Sequence, residues 1–168
     1  MRIADTLLPE FDREMATCRR VLERVPARSF SFKPHPKSFD MISLATHIAE
    51  MTGWAADVMN REAFDVAPPG AEPYKSQPAA STEDLLARFD KSAAAARAAL
   101  AAATDEQYFQ SWSLLQGGNV LFTMPRIACI RSFVMSHCIH HRGQLTVYLR
   151  MNDIPVPSIY GPSADEPM

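Results

Sequence analysis

The sequence has no run of about 18 apolar residues, so no membrane-spanning helix is expected. It has no excess of either charge: 17 basic and 19 acidic side chains leave a formal −2. That balance offers little to a nucleic-acid backbone or an anionic membrane face, and neither partner is expected. Asp5, Glu10 and Asp12 interrupt the opening stretch, so it does not read as a secretory leader. Cysteine is scarce. Cys18, Cys129 and Cys138 are odd in number and lack C-x-x-C spacing, and they read as reduced, buried thiols of a cytoplasmic protein. No internal repeat occurs. A chain of 168 residues is expected to form one domain over 1–168, with a core large enough to need no disulfide or metal staple.

Four segments repeat their apolar residues at helical spacing. The first runs from Ile3 to about Val25 through Leu7, Phe11, Met15, Cys18 and Leu22, and Pro26 ends it. The second opens at Ser38 or Asp40 and continues to about Arg61, with Leu44, His47, Met51, Trp54 and Val58 on one stripe. The third is capped by Ser81 and runs through Leu85, Phe89, Ala96 and Leu100 to about Ala103. The fourth covers about Met124 to Arg150. Between the second and third lie Pro68, Pro69, Gly70, Pro73 and Pro78, a crossover loop. Gln116-Gly117-Gly118-Asn119 separates two apolar runs and reads as a hairpin turn. Ile154 to Pro162 holds too many prolines for a helix. The expected fold class is therefore all-α: a four-helix bundle with a long crossover, a short hairpin before helix four and an extended C-terminal tail.

The chain has five histidines, and three of them, His137, His140 and His141, fall close together in the fourth segment. At 100° per residue, His141 sits about 40° from His137, inside the stripe formed with Ile130, Val134 and Tyr148. His47 lies on the inward stripe of the second helix by the same arithmetic. Two imidazoles one turn apart can converge on one ion, and a third from another helix completes the usual ligand set of a catalytic zinc site. A hydrogen-bonded core histidine is the plain alternative for each ring alone. Three of them together would bury several ring nitrogens that need partners, which favours the metal. Glu50, one turn after His47, suits a base or a residue orienting a ligand ring; a half-exposed helix acid is the alternative. Gln144 is placed to donate to substrate or to pair within the core. His140 stands at the margin, Arg142 is expected to point away from the stripe, and His35 reads as a solvated loop residue. Arg126, Arg131 and Lys33 are conceivable contacts for a carboxylate.

His137-Cys138-Ile139-His140-His141-Arg142-Gly143-Gln144-Leu145 resembles the H-x-x-x-H-R-G-Q signature of the DinB-like (YfiT-like) family. Ser43 to Ala49 is similar to that family's earlier histidine-bearing helix, and the tail from Pro157 to Glu166 resembles its C-terminus. The resemblance implies a bundle, often dimeric, that holds a divalent metal through His47, His137 and His141. It also implies chemistry of the kind its characterised members perform, which includes thiol S-transfer from low-molecular-weight thiols. The expected function is a metal-dependent S-transferase or hydrolase acting on a small molecule, with zinc first and nickel next as the ion, Glu50, His140 and Gln144 as catalytic candidates, and a homodimer as the assembly. A non-catalytic, stress-associated metal- or ligand-binding bundle is the alternative.

Overall fold

A computed structural model describes residues 1–167. In chain order the elements are α1 (Ile3–Leu22), a single 3-10 turn (Ala27–Ser29), α2 (Met41–Asn60), β1 (Ala63–Asp65), α3 (Thr82–Ala102), α4 (Asp105–Phe109), β2 (Ser111–Gln116), β3 (Asn119–Pro125), α5 (Arg126–Ala128), a π-helical segment (Cys129–Met135) and α6 (Ser136–Met151). The last three follow one another without a break and form one long helical unit.

Local signals set the helix starts. Asp40 accepts from the Ser43 N–H at 2.9 Å and Ser81 from the Asp84 N–H at 3.1 Å, so each supplies an oxygen to an otherwise orphan donor. At the far end of α2, Arg126 donates to the carbonyls of Met59 and Arg61 at 3.1 and 3.2 Å. α3 lies against both α1 and α2, and α6 packs on α1 and α2. Leu7, Phe11, Leu22, Leu44, Ile48, Leu85, Phe89, Leu100, Ile130 and Leu149 fill the space between them, and burial of this apolar surface is what drives the helices together.

The molecule is not the all-α four-helix bundle that the periodicity predicts. β1, β2 and β3 form a three-stranded mixed sheet in that order, with β1 parallel to β2 and β2 antiparallel to β3. The β2–β3 turn is Gly117-Gly118, with φ of +61° and +79°, the positive values that a tight hairpin turn requires. β1 comes from the start of the crossover, where Phe64 pairs with Leu114. Three residues are too few to show an alternating pattern, and the partner strand is distant in sequence. Asp65 fixes this non-local pairing: its carboxylate accepts from the N–H of Gly117 at 3.1 Å and of Gly118 at 2.7 Å. The short α4 is a second departure, closed by a reciprocal cap between Thr104 and Gln107.

The tail runs extended over the helices. Its Asp165 takes the Arg150 guanidinium at 2.5 Å, and Glu166 takes those of Arg20 and Arg24.

Candidate metal centre

His47 on α2 and His137 and His141 on α6 meet in the groove between the two helices. Ring centroids stand 4.6 Å apart for His137–His141, 4.8 Å for His47–His141 and 5.4 Å for His47–His137. One nitrogen from each ring lies within 4.8 Å of the others, and all three side chains are half-buried. Imidazole nitrogens at tetrahedral angles around zinc are about 3.3 Å apart with bonds of 2.0–2.1 Å, so small ring tilts bring the set onto one ion.

Burial disfavours the charged form of all three rings. Burial first, and then the neighbouring His141 and His137, push His47 down to about 4. Burial is also the main cause of the downward shifts at His137 and His141. Neutral rings present the lone pairs that a cation needs. His141 is also oriented. Its Nδ1 is 2.7 Å from Gln144 Oε1, and because that oxygen can only accept, Nδ1 carries the proton and Nε2 keeps its lone pair free. Three neutral imidazoles, one with its tautomer fixed, fit a divalent ion with an open coordination position.

The other candidates fall into distinct places. Gln144 is exposed and engages His141, so it positions a ring and does not sit in the core. Glu50 accepts the Tyr74 hydroxyl at 2.7 Å and stands 3.8 Å from Arg88 Nη1. Its charge opposes the fall at His47, but its carboxylate is committed to those partners. His140 is exposed, with its ring centroid 5.0 Å from that of His141. Arg126 is buried on the end of α2 and Arg131 pairs with Glu10 at 2.9 Å, so neither is free for a substrate carboxylate. His35 and Lys33 are exposed.

Arg142 corrects the helical arithmetic. It is 2% exposed, not turned outward: Nη1 lies 2.7 Å from Glu14 Oε2, and Nη2 donates to Tyr160 Oη at 2.5 Å. The Tyr160 hydroxyl in turn donates to Glu14 at 2.9 Å. The most deeply buried residues of α6 are Cys138, Arg142, Leu145 and Leu149, with Tyr148 also buried on the histidine side. With Cys138 as zero, Arg142, Leu145 and Leu149 lie between about −20° and +40°, while His137 and His141 fall at about −100° and −60°. The histidines thus sit at the rim of the buried face, where a solute can reach them. A π turn closes i→i+5 and carries an extra residue, so faces read across Cys129–Met135 at 100° per residue come out rotated. The i, i+4, i+7, i+11 spacing from Cys138 to Leu149 was the available signal for the buried Arg142. A cleft of about 510 Å³ opens beside this ion pair, lined by Pro9, Glu10, Arg13, Glu14 and Tyr160, and none of the histidines lines it.

Long helices carrying a small sheet, with three imidazoles converging from two helix faces, define a helical protein built around a histidine cluster. The sequence match makes this particular: residues 1–167 match the DinB family, and the chain belongs to it. The structure is similar to that of a DinB-like protein from Bacillus cereus ATCC 10987, with a TM-score of 0.69 and 21% identity over 91% of this chain and 95% of that one. A DinB-like protein of Bacillus subtilis, YjoA, is similar with a TM-score of 0.65 and 20% identity over 89% of this chain and 96% of that one. At these identities the likeness is one of fold. Among curated proteins, the uncharacterized protein YrdA of Bacillus subtilis (strain 168) is 50% identical over 34 residues. That match spans 20% of this chain and 20% of YrdA.

Proposed function

We propose that this DinB family chain is a metal-dependent enzyme in which His47, His137 and His141 hold one divalent ion, zinc first and nickel next. The observation that supports it is the trio of neutral, half-buried rings with nitrogens within 4.8 Å of one another. Imidazole suits either ion. A bound divalent cation supplies Lewis acidity and lowers the pKa of a thiol or water beside it.

The chain's own residues do the rest. The three histidines bind, and Gln144 orients His141. His140 stands exposed beside His141. Glu50 keeps a negative charge near His47 while anchored by Tyr74. The substrate is a small molecule, and the reaction is S-transfer from a low-molecular-weight thiol or hydrolysis.

The test starts with untagged protein. Metal analysis should find close to one equivalent of zinc or nickel per chain; a metal-free chain that takes up neither ion on titration removes the reading. The loaded protein is then assayed with a panel of cellular thiols and electrophiles, and with activated esters, against His137→Ala. Turnover above that variant is expected. A bound ion with no turnover in either assay would leave a non-catalytic metal-binding bundle. The homodimer belongs to the same reading, and light scattering should give twice the chain mass; a monomer refutes it.

A further inference from the structure

Beside the histidines, aromatic rings converge from five separate elements. Trp54 comes from α2, Phe64 from β1, Tyr74 from the crossover, Phe122 from β3 and Phe133 from the π-helical segment. Trp54 and Phe133 have centroids 5.3 Å apart at 50°, and Phe122 and Phe133 are 5.2 Å apart at 66°. Phe133 is in turn 5.8 Å from His137, so the ring cluster runs up to the histidines without a gap. These are not core residues in the sense of Phe11 or Phe89. All but Tyr74, which is exposed, are half-buried. At its base Trp112 is 1% exposed, and its indole N–H has no acceptor among the described residues. A finished core seldom leaves such a donor unanswered.

Charge around the cluster narrows the ligand. Glu50 is held by Tyr74, Arg88 pairs with Asp84 at 2.8 Å, and Arg61 pairs with Asp57 at 3.1 Å while lying 6.0 Å over the Phe64 ring. Among the described residues both arginines at these rings are paired, which leaves no free guanidinium there to select a carboxylate or phosphate. Tilted, partly open aromatic faces select flat, uncharged, polarizable groups. A protein partner fits less well, because the exposed aliphatic side chains of this region, Val120 and Leu121, lie out at the hairpin tip.

We infer that the Trp54–Phe122–Phe133 cluster is the subsite for a planar, uncharged aromatic or conjugated group of the substrate. The substrate's reactive end then faces His137 and His141. This rests on the proposed metal site only for where the reactive end goes; the ring subsite exists with or without the ion.

Trp54 reports the experiment. The full-length, zinc-loaded chain is titrated with para-nitrobenzyl alcohol, an uncharged planar quencher, while zinc content is measured in parallel, and cyclohexylmethanol serves as the non-planar competitor. The quench should saturate, and cyclohexylmethanol should not displace the probe. Phe133→Ala should weaken the probe about tenfold, the effect of one good aromatic contact, with zinc stoichiometry unchanged. If circular dichroism shows that Phe133→Ala has lost helix, Phe122→Ala is read instead with the same expectation. A quench that rises linearly without saturating, equal binding of cyclohexylmethanol, or undiminished affinity in the folded variant overturns the subsite. A chain that binds no zinc yet saturates with the probe sinks the metal reading and upholds this one.

Discussion

His141 and Arg142 are consecutive residues on one helix, and they meet opposite physical demands. Arg142 goes inward with its charge, and every cost of burying it is answered: Glu14 supplies the counter-charge and Tyr160 a hydroxyl. His141 stays at the rim, where burial disfavours its charged form and Gln144 holds Nδ1. The first arrangement is complete, so it can only hold structure. The second gathers the rings of His47, His137 and His141 within reach of one another, an arrangement that suits a cation. A single helix therefore carries a locked face and a working face, about a quarter-turn apart.

The contrast breaks most sharply at His141. His141→Ala should abolish stoichiometric zinc or nickel uptake in equilibrium dialysis while leaving the unfolding midpoint of the metal-free chain close to wild type. Retained metal would remove His141 from the ligand set. Arg142→Met should do the reverse. Removing one partner leaves Glu14 buried without its counter-charge, at a cost of about 3–5 kcal/mol, or a drop of about 6–20 °C in thermal midpoint for a chain of this size. Adding Glu14→Leu should recover most of that loss, because an apolar pair has no charge to desolvate. If the single Arg142 variant unfolds at the wild-type temperature, the ion pair does not hold the helix and the locked face is not locked.

The sequence made the working face easier to find than the locked one. His47, His137 and His141 come from an i, i+4 pair plus one inward histidine, and the structure gathers these three. The helical arithmetic misplaces Arg142 because its stripe is defined partly by Ile130 and Val134, and a uniform 100° per residue does not hold through Cys129–Met135. A π turn has no sequence marker here; it is visible only in bonds such as the one the Ser136 backbone N–H donates to the Arg131 carbonyl, five residues back. The four long helices were legible because each repeats its apolar residues over many turns. The sheet was legible only in half. The Gly117-Gly118 turn announces β2 and β3, but β1 is three residues whose pairing depends on Asp65 reaching that same turn.

Gln144 tests how far the two faces are independent. It is exposed and makes one hydrogen bond, to His141, so Gln144→Ala should leave folding stability within about 0.5 kcal/mol of wild type. Its effect should fall on the ion: loss of a group that fixes a ligand ring costs about 10–100-fold in metal affinity. Competitive titration against a chromophoric chelator measures this directly. Gln144→Glu should keep or strengthen binding, since a carboxylate accepts the same Nδ1–H. A Gln144→Ala chain with wild-type affinity would mean that the tautomer of His141 is set by something else.

The smallest effect is expected at Tyr160, and it asks whether the tail belongs to the locked face. Its hydroxyl bridges Arg142 and Glu14, yet those two also bond each other, so Tyr160→Phe removes a third partner and not the pair. The expected loss is about 1 kcal/mol, the net worth of an ordinary hydrogen bond, with metal affinity unchanged. The phenyl ring keeps the guanidinium contact, 5.1 Å from Arg142 Cζ to the ring centroid, so Tyr160→Ala should cost more than Tyr160→Phe. Chemical denaturation of both variants separates the hydroxyl from the ring. If Tyr160→Phe alone loosens zinc, then tail docking is coupled to the histidines through the turn that Arg142 shares with His141, and the two faces are one device.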